Sequence, residues 1–251
     1  MVKQNSMYIG NTKVSFKENK VKGTSVKIGG ENFYKISNVN EMRSFFMSIV
    51  SYSNHWMFIA SNGGLTAGRK NAQFALFPYY TDDKITEFAE ITGSKTILKI
   101  QFKDKTYLWE PFSNRYEGVY KIKRNLYKNS FGNKVIFEEI NEDLELTFKY
   151  SWSSSEKYGF VKKSTIKNNS TSTKNVEVLD GLQNILPYGV GDALQNESSN
   201  LVDAYKRSEL NAKEGIGIYA LSAIIVDKAE PSEALKANVV WSLGVENPTY
   251  L

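Results

Sequence analysis

The chain has 251 residues, of which 41% are hydrophobic and 24% are charged, as expected for one large globular domain or two small ones. It contains no cysteine and a single histidine, which excludes disulfides, Cys-ligated zinc or iron–sulfur sites and any His-rich metal centre. The formal net charge is +5, and the basic residues are interleaved with acids along the chain, so the sequence predicts no nucleic-acid partner. The densest basic stretch, residues 121–128, alternates with other residues and predicts a solvated strand face.

The N-terminal sequence MVKQNSMYIG has one lysine and no apolar segment of the kind a signal peptide needs. No apolar run approaches the roughly 18 residues of a membrane-spanning helix. We therefore expect a cytoplasmic protein with no membrane partner. The C-terminal sequence WSLGVENPTYL stops just after a strand-like run without a polar tail, from which we expect that the chain is part of a longer protein.

Strand patterns dominate the chain from its N-terminal end. Two short runs on either side of Gly29-Gly30 predict a hairpin, because paired glycines favour a tight turn. Further apolar or alternating runs, separated by short polar turns, predict more strands. The predicted strands are residues 23–28, 32–36, 44–52, 55–60, 95–102, 106–109, 120–127, 134–140, 144–152, 160–167, 176–180, 216–226 and 237–243.

The pattern changes after Pro187. Residues 190–212 carry apolar side chains at helical spacing and predict one or two short helices, with a break near Ser198 to Asn200. Eleven to fourteen strands at intervals of roughly 8–12 residues, with no helix between most of them, exclude a parallel α/β sheet. We predict a mainly β fold, a large two-sheet antiparallel super-β-sandwich that forms one domain over residues 1–251 with a helical insert at about 186–214.

The stretch SNGGLTAGRKNAQFALFPYYTDD, residues 61–83, combines glycines, one arginine, two tyrosines and two aspartates. The Lys-Ser/Thr pair of a phosphate-binding P-loop does not follow its glycines, so we expect a structural turn with Arg69 held by Asp82 or Asp83. Its composition also suits a sugar-contacting edge, because tyrosine faces stack on apolar sugar faces while carboxylates accept from hydroxyls. The candidate contacts are Arg69, Tyr79, Tyr80, Asp82 and Asp83.

Two further residues could contact a glycan or an interface. Trp109 lies in the aromatic-rich segment YLWEPFSNRYEG, and Asp180 follows an apolar run and precedes Gly181. A turn in which Asp180 bonds its own backbone is the alternative for that residue. No two acids form a convincing catalytic pair, so we expect no catalytic residue, no metal and no cofactor in this chain.

Two blocks carry a resemblance to a known family. HWMFIASNGGLTAGRKNAQFALFPYYTDDKI, residues 55–85, and KKSTIKNNSTSTKNVEVLDGLQNILPYG, residues 162–189, resemble the N-terminal region of the large bacterial proteins related to cellobiose phosphorylase. The arginine-rich motif of true cellobiose phosphorylases is replaced here by FALFPYYTDD. Phosphorolysis and hydrolysis therefore both stay open for the parent protein.

The resemblance implies a galactose-mutarotase-like sandwich that is not itself catalytic. Such a domain packs on a catalytic (α/α)6 barrel, takes part in dimerisation and brings a loop to an active site. The first hypothesis is thus an accessory domain that contacts an oligo- or polysaccharide. The second is an interaction module that binds the barrel or a second copy and no glycan. The third is a stand-alone mutarotase-like enzyme, in which His55 would have to serve as acid or base.

Overall fold

The computed structural model describes residues 7–14, 20–102, 104–223 and 236–244. Within those ranges the protein is mainly β, and all of its strand pairs are antiparallel. The strands are β1 (Met7–Ile9), β2 (Thr12–Val14), β3 (Lys22–Ile28), β4 (Glu31–Ser37), β5 (Phe46–Ile49), β6 (His55–Ala60), β7 (Leu65–Arg69), β8 (Ala75–Phe77), β9 (Gly93–Phe102), β10 (Lys105–Trp109), β11 (Ile122–Asn129), β12 (Lys134–Asn141), β13 (Leu146–Ser155), β14 (Gly159–Asn168), β15 (Asn175–Gln183), β16 (Lys206–Asn211), β17 (Ile216–Leu221) and β18 (Asn238–Trp241). The helices are α1 (Asp82–Ile85), α2 (Asp192–Glu197) and α3 (Ser199–Tyr205), and Val39–Glu41, Ala72–Phe74 and Thr86–Phe88 form single 3-10 turns.

Two layers make the β-sandwich. One layer is a six-stranded sheet in the order β14-β13-β12-β11-β4-β3. The other contains a four-stranded sheet, β5-β6-β7-β8, and a three-stranded sheet, β10-β9-β15. The backbone N–H of Leu186 donates to the carbonyl of Leu76 over 2.8 Å, which joins the chain after β15 to β8. The second layer is therefore nearly continuous.

The core forms between these layers because every second side chain of each strand points into it. Phe137 and Tyr150 on the six-stranded sheet stack with their ring centroids 4.7 Å apart, and both are buried. Phe77 meets Trp152 edge to face from the opposite layer. The same cluster includes Ile59, Leu65, Leu98, Ile100, Leu126, Val135 and Phe148, all of them nearly inaccessible to solvent.

A smaller core covers part of the outer side of the four-stranded sheet. Ala75 from β8 packs there with Val202 from α3 and Leu221 from β17. The helical segment and the sheet β16-β17-β18 thus pack on the sandwich and add a second hydrophobic cluster to it.

The mainly β sandwich predicted from the sequence is confirmed, and the Gly29-Gly30 hairpin joins β3 to β4 as expected. The break predicted between the two helices falls at Ser198. The helical prediction was wrong at residues 206–211, where β16 pairs with β17. The strand count was too low, because short strands such as β7 and β8 lie in a segment read as a loop. The end of the predicted strand 216–226 lies partly outside the described residues.

Among the described residues, no helix is both long and apolar enough to cross a membrane.

Replacing Phe137 by alanine should lower the free energy of unfolding by about 3–5 kcal/mol, because it removes a buried ring and leaves a cavity. Chemical denaturation followed by far-UV circular dichroism measures the change. The control is Phe131→Ala, since Phe131 is 75% exposed and its truncation should change stability little. Equal losses in the two variants would contradict the proposed core.

Candidate functional site

The turn that opens residues 61–83 is structural. Gly63 has a φ of +96°, and its N–H donates to the carbonyl of Ala60 over 2.9 Å, which closes a tight turn between β6 and β7. A Cβ on Gly64 would stand 2.1 Å from the carbonyl oxygen of Ile85. The two glycines therefore allow a reversal of the chain and a close backbone contact, which agrees with the structural turn that the sequence predicted.

Arg69 is held by an amide. Its guanidinium donates two hydrogen bonds, of 3.0 and 2.9 Å, to the side-chain oxygen of Asn54. Asp83 lies in α1, and a hydrogen bond from Thr81 is the main reason that its pKa lies below the ordinary value. The backbone of Asp82 begins α1, and its side chain lies outside the described part of the structure.

The two tyrosines of the stretch face different surroundings. Tyr79 is 40% exposed, and its ring meets the edge of Trp56 at a centroid distance of 5.9 Å. Tyr80 stacks flat on Phe88 at 4.1 Å, and burial raises the pKa of its hydroxyl despite hydrogen bonds at that group. Tyr79 can therefore contact a partner, whereas Tyr80 holds the loop in place.

Trp109 belongs to a buried hydrogen-bond network around Glu139. The indole N–H of Trp109 donates to one carboxylate oxygen of Glu139 over 2.8 Å. The other oxygen accepts from the backbone N–H of Phe112 and from Nε of Arg124, both at 2.7 Å. Arg124 also donates to the carbonyl of Ser113 over 2.8 Å. The network fastens the segment after β10 to the six-stranded sheet, so Trp109 has a structural role.

Asp180 lies inside β15 and not in the turn that the sequence left open. It accepts from the hydroxyl of Thr96 over 2.5 Å and from Nζ of Lys162 over 2.7 Å. The side chain of Lys162 is only 9% exposed. Burial lowers the pKa of Lys162, and the neighbouring Asp180 partly opposes that effect. The pair thus links β14 of one layer to β15 of the other.

A narrow crevice lies between the 61–64 turn and this polar cluster. Gly63, Thr96, Ser113 and Tyr150 are among its lining residues. Its volume is about 20 Å³, which is room for about one water molecule. The fold therefore brings the predicted turn close to Asp180 without leaving space for a sugar ring.

A ligand-sized groove lies between β5 and the β3–β4 hairpin. This groove has a volume of about 720 Å³, within the usual range for small-molecule sites. Tyr34, Ile36 and Leu126 form one wall, and Phe45 and Met47 form the other. It exists because the six-stranded sheet extends past β5, which leaves Tyr34 55% exposed although its position faces inward.

Polar groups surround the apolar walls of the groove. Ser25, Asn32 and Ser130 bring two hydroxyls and an amide to it. Lys128 donates from Nζ to the backbone carbonyl of Ser48 over 2.7 Å, and burial lowers its pKa. A Cβ on Gly23 would stand 1.9 Å from the hydroxyl of Tyr34, so this glycine lets the ring lie across β3. The groove combines apolar faces with a few hydrogen-bonding groups.

Sequence reasoning missed the groove. Its residues come from β3, β4, β11 and the start of β5, and no local motif joins them. The alternation of β4 places Tyr34 on the same side of the sheet as Ile36. This alternation was the one sequence signal that Tyr34 lies on the side of the sheet that faces the opposite layer.

A row of aromatic side chains occupies the outer side of the four-stranded sheet. Phe46 stacks on Phe58 at 5.3 Å, Phe58 meets Trp56 at 5.8 Å, and Trp56 meets Tyr79. Phe46 is 45% exposed at one end of the row, and Tyr79 ends it at the other. This aromatic row is an apolar strip on the surface, and it includes one of the predicted contact residues.

His55 is buried at the start of β6. Its Nδ1 shares a 2.7 Å hydrogen bond with the hydroxyl of Ser53, and its ring meets Phe160 edge to face. Burial is the main cause of its lowered pKa, and the positive charge of Arg69 adds to the effect. Nε2 has no hydrogen-bond partner among the described residues. Burial and the Arg69 charge therefore both favour the neutral form of the imidazole.

Comparison with known proteins returns no match, either among protein-family models or among curated proteins. Within the described ranges, no group of three or more histidine, cysteine or acidic side chains could hold a metal ion.

Replacing Glu139 by alanine should lower the free energy of unfolding by about 3–5 kcal/mol, because it leaves the Arg124 charge and the Trp109 N–H buried without their partner. Urea denaturation measures this loss. The control is Glu142→Ala, whose partner Lys123 is exposed, so that change should cost less than about 1 kcal/mol. A loss below that value for Glu139→Ala would show that the buried network does not hold the segment.

Proposed function

We propose that the chain is a non-catalytic accessory β-sandwich of a carbohydrate-active enzyme and that it contacts an oligosaccharide in the groove between β5 and the β3–β4 hairpin. The groove is the observation that carries the proposal. It has room for one or two sugar rings, apolar walls that include Tyr34 and Phe45, and hydroxyl and amide groups beside them. This combination suits sugars, which present apolar C–H faces and hydrogen-bonding edges.

The chemistry of the groove favours binding over catalysis. No carboxylate and no imidazole is present among the described residues that line it. Glycoside hydrolysis uses two carboxylates across the bond that is cleaved. Two of the buried glutamates are committed to positive partners, because Glu139 binds Arg124 and Glu138 binds Lys149. The catalytic acid would then belong to another domain of the parent protein.

The resemblance to the N-terminal region of cellobiose-phosphorylase-like proteins supplies the wider setting. In that setting the sandwich packs on a catalytic (α/α)6 barrel of a bacterial glycoside phosphorylase or hydrolase. The two-layered antiparallel fold is compatible with such a role, and the groove would place a glycan beside the barrel.

Wild-type protein should bind neutral oligosaccharides such as cellobiose or cellotetraose, and Tyr34→Ala should weaken binding by about three- to tenfold through loss of ring stacking. Isothermal titration calorimetry measures both affinities. Tyr52→Ala is the matched control, since Tyr52 is 94% exposed and does not line the groove. Asp83→Ala tests the alternative contact at residues 61–83.

The two variants distinguish a glycan contact in the groove from one at residues 61–83. A loss with Tyr34→Ala alone supports the groove, whereas a loss with Asp83→Ala alone places the contact at the loop and contradicts the groove. If no neutral oligosaccharide binds the wild-type protein, the proposal of a glycan-contacting groove is wrong.

The second candidate function is an interaction module, and the aromatic row favours it. Neighbouring rings contact each other with centroid distances below 6 Å, in stacked, tilted and edge-to-face pairs, so the row presents ring edges and an apolar strip more than open faces for sugars. An exposed apolar strip of this kind is typical of protein interfaces. In this hypothesis the occupant is a second copy of the chain or the barrel.

If the aromatic row joins two copies, sedimentation velocity should show a dimer whose population rises with concentration. Phe46→Ser should weaken that dimer by at least about tenfold, because it removes an exposed ring from the strip. Tyr52→Ser is the control, since it removes a ring that lies outside the row and is even more exposed than Phe46. A monomer at every concentration would rule out the dimer.

A further inference from the structure

A second surface lies on the outer side of the six-stranded sheet, opposite the groove and the core. The strand register places one set of residues on this side in all six strands. Its charged members are Lys22, Glu31, Lys35, Lys123, Lys134, Glu138, Lys149, Lys163 and Lys167. We call this side of the sheet the lysine face.

The lysine face has a large excess of positive charge, with seven lysines against two glutamates. Glu31 pairs with Lys134 and Glu138 with Lys149, each over 2.6 Å, so both acids are already used. Lys123 pairs with a glutamate of the neighbouring turn. The remaining lysines have no carboxylate partner among the described residues, and these are Lys22, Lys35, Lys163 and Lys167.

These four lysines are spread across the sheet, and Nζ of Lys35 also lies over the Tyr127 ring at 5.3 Å from its centroid. Lys35 on β4 and Lys163 on β14 lie in one cross-strand row, in which Tyr127, Ile136 and Ser151 are the intervening residues. Four strand spacings separate the two lysines, so their backbones are about 19 Å apart. Lys22 lies in the next row on the same side, which ends at Thr165, and Lys167 lies one row farther along β14. The array is therefore wide enough for an extended ligand with repeated negative charges.

The residues of the lysine face favour an acidic glycan over a nucleic acid as the polyanion. It has no arginine, and its aromatic residues Phe33 and Tyr127 are only 3% and 6% exposed, so it offers no ring on which nucleic-acid bases could stack. Its broad sheet surface also has no helix or ribbon to enter a duplex groove. The hydroxyls of Thr24, Ser151 and Thr165 lie between the lysines and can bond sugar hydroxyls.

We propose that the lysine face binds an acidic polysaccharide, with Lys35, Lys163 and Lys167 as contacts to its carboxylates. This inference rests on the proposed function only for the choice of a glycan as the polyanion. The face itself is separate from the groove. Ammonium groups would meet the carboxylates at the surface, so the affinity would fall with salt.

The test uses the full chain and polygalacturonate oligomers as the probe, with calorimetric titration at several salt concentrations. The triple variant Lys35→Gln, Lys163→Gln, Lys167→Gln should weaken binding at least about tenfold and flatten its salt dependence. The control variant Lys84→Gln, Lys99→Gln, Lys206→Gln removes the same charge from residues outside the face. It should retain most of the wild-type affinity.

Equal weakening by the two triple variants would overturn the inference, because it would show an effect of net charge alone. No binding of polygalacturonate by the wild-type protein would also overturn it. Binding of duplex or single-stranded DNA more tightly than polygalacturonate, with the same loss in the face variant, would show that the partner is a nucleic acid and that the inference is wrong. Neutral cellotetraose is titrated in parallel. If it binds while polygalacturonate does not, the proposed function stands and only this inference fails.

Discussion

The buried carboxylate of Glu139 is the interaction on which the rest of the sandwich depends. It sits between the layers, where an unpaired charge would be costly, and it is stabilised because Arg124 and two N–H groups surround it. Arg124 and Glu139 are direct cross-strand neighbours on β11 and β12, so the strand register brings them together. The same carboxylate fixes Trp109 and the backbone of Phe112, and thereby positions the chain after β10 on the core.

The unequal width of the two layers shapes the surface. Because the six-stranded sheet extends past β5, the opposite layer covers the inner side of its β3–β4 hairpin only in part, and the groove opens there. Lys128 reaches across at the inner end of this region and bonds a carbonyl of β5. The helical segment covers part of the outer side of the four-stranded sheet and leaves the aromatic row at its margin.

Three surfaces with different chemistry therefore lie on one scaffold. The groove offers apolar walls with hydroxyl and amide groups, the aromatic row offers an apolar strip, and the lysine face offers repeated positive charge. In the proposed function the groove would bind the glycan and the aromatic row would contact the catalytic domain, and these two surfaces are separate in the structure. The ion pair of the buried Lys162 ammonium with Asp180 links β14 of one layer to β15 of the other.

The sequence by itself determined the mainly β fold, the Gly29-Gly30 hairpin and the turn at Gly63, because alternation and glycine conformation act over a few residues. It also predicted that Tyr79 could contact a partner. Only the tertiary structure decided that Asp180 binds Lys162, that Trp109 serves the core, and that Tyr34 and Phe45 share a groove. It also gathered lysines spread through the sequence onto one side of a sheet. Those outcomes depend on strand order and register, which bring together residues far apart in the chain and which no local pattern specifies.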